Sequence, residues 1–119
     1  HATMLRDAGI DFVFLDVTNH AYVDWRSDRT REMILEPMER LVAVWSTISG
    51  APKIVPWVPL PGAGTDPEAY TVDALLEMLS AYPGMRLEYL GRPLVLVTEN
   101  DVHVTREEKF TALSASSYV

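Results

Sequence analysis

Three short, almost wholly apolar runs limit how this chain can fold: residues 10–17 (IDFVFLDV), 53–59 (KIVPWVP) and 93–98 (PLVLVT). A strand with one wet face alternates apolar and polar residues, whereas a strand covered on both faces reads as a continuous apolar run. The stretches between the runs carry a helical period instead. Ile34, Met38, Leu41, Val42, Trp45 and Ile48 recur at spacings of three and four, which predicts a helix over 28–49 with these residues on one face. Pro37 interrupts it, so it is either kinked or two helices in tandem with Pro37 opening the second, and Gly50 ends it. Ahead of the third run, Thr65-Asp66-Pro67-Glu68 forms a capping box with Pro in the first turn. Val72, Leu75, Leu76 and Leu79 form that helix's apolar stripe, and Pro83-Gly84 stop it. A short helix capped by Thr3 and closed by Gly9 is expected before the first run, and a helical turn around 107–113 in the tail.

The order is αβαβαβ, and fully apolar strands linked through helices are parallel, with right-handed crossovers. The expected fold class is therefore α/β, a parallel βαβαβ segment. It fits a small doubly wound sheet or an arc of a TIM-type (β/α)8 barrel. Pro56, inside the second run, has no N–H to give to a ladder, which predicts a barrel irregularity or a sheet edge. No repeat, low-complexity tract or linker divides the 119 residues, so 1–119 is read as a single partial barrel domain. The chain opens on His1-Ala2-Thr3-Met4, without an initiator Met or a signal peptide, and we expect a segment of something longer.

Composition removes several classes of partner. Asp and Glu number 17 against 10 Lys and Arg, a formal charge of −7, and no basic cluster interrupts the acidic balance. Such a surface repels phosphate backbones and anionic headgroups, so neither nucleic acid nor membrane is expected as a partner. No apolar run approaches the about 20 residues of a membrane span. There is no cysteine, hence no disulfide framework and no thiolate metal site.

Ligands of parallel α/β folds bind just past the C-terminal ends of the strands. After the first strand stand Asp16, Thr18, Asn19 and His20, with Tyr22, Asp24 and Trp25 a little further on. Trp57 and the Gly62/Gly64 loop follow the second, and Glu99, Asn100, Asp101 and His103 the third. Carboxylates do acid, base or nucleophile work at an acetal, and flat aromatics stack on sugar faces, so this rim has the inventory of a carbohydrate site. Asp16 and Glu99 are the candidate catalytic acids. Thr18, Asn19, His20 and Trp57 are candidate contacts to a carbohydrate ligand. Each has a structural alternative: Asp16 could accept bonds from the amides of its own turn, Glu99 could be a solvated loop acid, and Trp57 could be core. Trp45, on the helical stripe, is read as core. Asp16, His20 and Asp24 recur every four residues, but the segment reads as loop, so no metal and no cofactor is expected. There is no G-x-S-x-G, P-loop, H-E-x-x-H or complete G-x-G-x-x-G.

The stretch Ala8-Gly9-Ile10-Asp11-Phe12-Val13-Phe14-Leu15-Asp16-Val17-Thr18-Asn19 resembles the "AGvDf…D-x-TN" segment of bacterial glycoside hydrolase family 71/99-like (β/α)8 domains. Ala51-Pro52-Lys53-Ile54-Val55 resembles their "vPKv" strand and Gly91-Arg92-Pro93-Leu94-Val95-Leu96-Val97 their "GKPLvi" strand. Phe110-Thr111 resembles their "FT-x-R", although Ala112-Leu113 follow here and the Arg is missing. The resemblance implies a fragment supplying roughly the first half of a barrel of about 250 residues. Its parent would act on glycosidic bonds of a polysaccharide or glycan; the sequence itself gives no location, and a secreted or periplasmic one suits such a parent. Asp16 and Asn19 match the family pattern by position; Glu99 matches none of its motifs. In family 99 the catalytic acids lie on later loops, so hydrolase activity is not expected of this chain alone.

Two other classes compete. Val13-Phe14-Leu15-Asp16-Val17 also resembles the phosphoacceptor strand of receiver domains, but their acidic pair and later Lys are not recognisable. A haloacid-dehalogenase reading fails at Val17-Thr18, where the second Asp of D-x-D is missing. The other class is a non-catalytic α/β assembly or interaction domain. Half a barrel leaves strand edges open, so self-association or a partner chain completing the sheet is expected.

Overall fold

A computed structural model describes residues 1–17, 28, 31–59 and 71–98, with the backbone alone at 58–59, 71–74 and 97–98. It is a mixed α/β structure built on a parallel sheet of three strands: β1 (Phe12–Asp16), β2 (Lys53–Pro59) and β5 (Leu96–Thr98), in that spatial order. Phe12 pairs with Lys53 and Asp16 with Trp57; Trp57 in turn pairs with Leu96. Both parallel pairings expected from the apolar runs are present. The first strand is shorter at each end than 10–17, and the third begins at Leu96 rather than Pro93.

The first helix, α1 (Ala2–Asp7), starts one residue earlier than its expected cap. His1 occupies the N-cap and no side chain caps the helix, so Thr3 lies inside the first turn. Burial of Ala2 holds this end instead. Gly9, at φ 78, closes the helix as expected. Its N–H donates to Arg6 O (2.9 Å) and the Ile10 N–H to Leu5 O (3.0 Å), the paired bonds of a left-handed helix stop. Arg6 Nη1 then donates to Ser49 O (3.1 Å), with its aliphatic stem against Gly50.

The long helix resolves into the tandem alternative. A π-helical segment, Arg31–Leu35, runs into α2 (Glu36–Ser46), with Pro37 in the first turn of the latter. The Pro37 nitrogen cannot donate, and the change of winding absorbs the missing bond at that point. The next helix, α3, spans Thr71–Ser80. Both α2 and α3 pack on one face of the sheet. Val42 of α2 and Leu79 of α3 are buried with Ile54 and Met85, against Val13, Leu15 and a half-buried Trp45. A second cluster joins Val17, Leu75 and Val95. The capping box at 65–68 and the turn at 107–113 lie outside the described residues.

Strand β1 corrects the expectation of burial on both faces. Val13 and Leu15 turn toward the helices and are half-buried, whereas Phe12, Phe14 and Asp16 are exposed. β1 pairs only with β2 among the described residues, so an apolar run here marks an edge strand with one helix-covered face.

Pro56 is also resolved. β2 is the central strand and Pro56 is buried, so the edge alternative fails. Lys53 N–H donates to Asp11 O and Val17 N–H to Trp57 O, so odd-numbered residues of β2 face β1 with their N–H and C=O groups, and even-numbered ones face away. The absent donor of Pro56 thus falls on the β5 side. There the ladder begins only at Trp57 and Leu96, and an isolated bridge joins Ile54 to Arg86 below it. The gap in pairing is where the proline sits.

The segment before β5 was expected as a loop and the start of a strand. It forms a 3-10 turn, Pro83–Met85, and then a hairpin of β3 (Glu88–Tyr89) and β4 (Arg92–Pro93), antiparallel, with Glu88 opposite Pro93. Leu90 (φ 50) and Gly91 (φ 76) make the two-residue link, both left-handed as a type I′ turn requires. Leu90 is 76% exposed, so no packing compensates a conformation that costs a branched side chain about 1 kcal/mol.

Two substitutions test this account. Leu90→Asn supplies the residue such a turn favours and should raise stability by about 1 kcal/mol in urea denaturation. Leu79→Ala, between the two helices and β2, should lower it by about 2–5 kcal/mol in the same measurement.

Candidate functional site

The sheet brings the ends of its strands to one level through its register. Asp16 pairs with Trp57 and Trp57 with Leu96, so these three form one row across all three strands. Paired residues of parallel strands share a face, and this row lies on the face turned away from α2 and α3. Neighbours in the row stand about 4.8 Å apart at the backbone. Asp16 is exposed, Trp57 is half-buried, and each takes part in an interaction within the chain. Phe14, one step down β1 on the same face, is 50% exposed, and its ring meets Phe12 edge-on at 5.5 Å between centroids.

This row brings two of the expected site residues together. Asp16 and Trp57 stand side by side at the C-terminal ends of adjacent parallel strands, a carboxylate next to an indole. Leu96 completes the row and was not singled out from sequence, because only the register reveals it. Thr18, Asn19, His20 and Glu99 lie outside the described residues, as do Asp24 and His103. Trp45 is half-buried on the helix side, as its stripe position implied.

The Val17 amide, the first after Asp16, is spent on Trp57 O at 2.9 Å and is not available to the carboxylate. The strand end is therefore held by β2, and the last ladder bond of β1 falls on the residue after Asp16. Chemically, the row offers a hydrogen-bond acceptor beside a flat apolar plate, a pairing that suits an equatorial hydroxyl and the adjoining sugar face.

β5 lies two strands from β1, about 10 Å across the sheet. Thr98 pairs with Pro59, two rungs past the row of Asp16, a further rise of about 7 Å along the strand. Two carboxyl groups that share glycoside hydrolysis stand about 5–5.5 Å or about 6.5–9.5 Å apart. The end of β5 is thus far from Asp16 for direct cooperation.

Lys53 Nζ donates to Gly84 O at the opposite end of β2, and Arg86 Nη2 pairs with Glu88 Oε1 at 3.3 Å. Among the described residues no cluster of three or more His, Asp or Glu is placed to hold a metal, and no helix is long and apolar enough to cross a membrane. In comparisons with known proteins, no family model, curated sequence or solved structure matches the chain.

An exposed carboxylate at the C-terminal end of β1 should matter little to folding. Asp16→Asn is expected to change stability by no more than about 0.5 kcal/mol, read as the urea midpoint. A loss on the scale of Leu79→Ala would show that the carboxylate holds the fold.

Proposed function

We propose that this chain is an arc of a glycoside hydrolase-like (β/α)8 barrel whose parent acts on glycosidic bonds of a polysaccharide or glycan. In this reading the Asp16–Trp57 row is part of the carbohydrate-contacting rim. The observation that carries it is the adjacency of Asp16 and Trp57 at the C-terminal ends of neighbouring parallel strands, on the face opposite the helices. Strands in the sequential order β1-β2-β5 with α2 and α3 on one side are what an arc of a barrel requires. In a barrel the helix-free face is the interior, where layered apolar side chains are at home. Phe12, Phe14, Val55 and Leu96 are residues of that kind.

In the proposed site Trp57 is the stacking plate and Asp16 the acceptor that orients a hydroxyl; Thr18, Asn19 and His20 extend the contacts and Glu99 is the second candidate acid. Cleavage needs carboxylates that the remaining strands of the parent supply, so the chain alone binds without turning over. A second reading, a non-catalytic assembly or interaction domain completed by a partner chain, draws on the exposure of Phe12, Phe14 and Leu96.

The test is calorimetric titration of the chain, and of its full-length parent, with a panel of neutral oligosaccharides. Binding should weaken about tenfold or more in Trp57→Ala, the scale of losing one aromatic platform. In the parent, Asp16→Asn should lower kcat/KM while leaving the melting temperature in place. No binding by either protein across the panel overturns the glycan reading, and turnover by the isolated chain overturns the division of labour.

A further inference from the structure

The outer edge of β1 carries an inference that does not depend on glycan chemistry. Bonds at both ends of the β1–β2 ladder, Lys53 N–H to Asp11 O and Val17 N–H to Trp57 O, show that odd-numbered residues of β1 spend their backbone groups on β2. By alternation, Phe12 and Phe14 direct their N–H and C=O groups the other way. Their side chains are 39% and 50% exposed, and no bond from these outward groups is found among the described residues. Natural edge strands are normally blunted by Lys, Pro or a bulge. Phe12–Asp16 has none of these.

We infer that two copies of this chain join through β1, antiparallel, about a two-fold axis passing through Val13. Outward groups meet outward groups in this register only if even-numbered residues oppose even-numbered ones. Phe12 then lies opposite Phe14 of the partner subunit, and Phe14 opposite Phe12 of the partner subunit. Each such pair exchanges two N–H to C=O bonds. The same register stacks aromatic against aromatic on the face opposite α2 and α3, a favoured cross-strand pairing. It also keeps like charges apart: Asp11 comes opposite Leu15, and Asp16 opposite Ile10. The occupant is a second copy because the edge complements itself under this axis and needs no other sequence. The opposite edge of the sheet is β5, only three residues long, which is itself a protection against pairing.

The hydrogen-bond alternation gives a selective test by sedimentation velocity over a range of concentrations. Phe14→Pro removes an N–H that points outward while sparing the ladder to β2, and should raise the dimer dissociation constant about tenfold or more. Phe14→Lys, which keeps the amide but places charge on the edge, should do the same, so the outcome survives if the proline variant unfolds. Leu96→Lys, on the same face but the far strand, should leave the dimer intact. Hydrogen exchange of the wild-type chain should show the Phe12 and Phe14 amides protected at high concentration and released on dilution, with Val13 and Leu15 protected throughout. A chain that stays monomeric, a dimer indifferent to both Phe14 variants, or one equally disrupted by Leu96→Lys would each overturn the proposal. None of these results bears on whether the rim binds sugar.

Discussion

Everything described here hangs on the central strand β2, which must satisfy its backbone on two flanks at once. On the β1 side its bonds run from Asp11 to Val17, and this ladder sets the level at which Asp16 and Trp57 meet. On the β5 side the proline at position 56 leaves a gap, and pairing resumes only from Trp57 upward. The sheet is therefore fully joined only near the C-terminal ends of its strands, where the candidate rim lies. Below the gap the single Ile54–Arg86 bridge and the Lys53 contact to the Gly84 carbonyl stand in for a ladder. A buried Pro in a central strand would ordinarily orphan the acceptor opposite. Here the β2–β5 ladder begins only at Trp57 and Leu96, so no ladder bond is formed at the level of Pro56.

The arrangement of helices follows from the same sheet. Strands in sequential order with right-handed crossovers place successive helices on one side. Val13, Leu15 and Ile54 are consequently shared by α2 and α3, with Leu79 and Val42 closing the layer. The other face keeps Phe12, Phe14 and Leu96 partly exposed while Val55 at its centre is buried. That asymmetry links the fold to the candidate site: the rim residues lie on the face opposite α2 and α3, and the exposed aromatics mark the edge of β1.

Much of this layout was legible in the residues. Continuous apolar runs identified three strands, a three-and-four period identified the helix face around Val42, and Gly9 and Gly50 marked their stops because both require a positive φ. The misses have physical causes. An apolar run does not distinguish two covered faces from one covered face and an aromatic edge, so β1 read as buried. The Leu90–Gly91 turn was hidden because it lacks the Asn or Asp that ordinarily announces a type I′ link, and Pro93 was consequently assigned to the wrong strand. Thr3 read as a cap, but the helix begins at Ala2 and the hydroxyl falls inside the first turn. For the site, sequence reasoning nominated Asp16 and Trp57 independently, whereas their adjacency and the presence of Leu96 beside them depend on register, which no local pattern encodes.

The clasp between α1 and the turn after α2 has a kinetic side. Arg6 reaches the carbonyl of Ser49 across 43 positions, and the β1–β2 ladder joins similarly distant segments. Such contacts return nothing until a long loop has closed, and the cost of that closure falls early on the folding path. The hairpin at Glu88–Pro93 and the helix α3 are local and form without waiting. β1, made first, remains without its ladder until β2 arrives, and its aromatic residues stay open to any extended segment nearby. The rate at which Arg6 and Ser49 find each other therefore competes with encounters between chains. The yield of correctly folded protein should fall as concentration during refolding rises, even if the folded state is stable once reached.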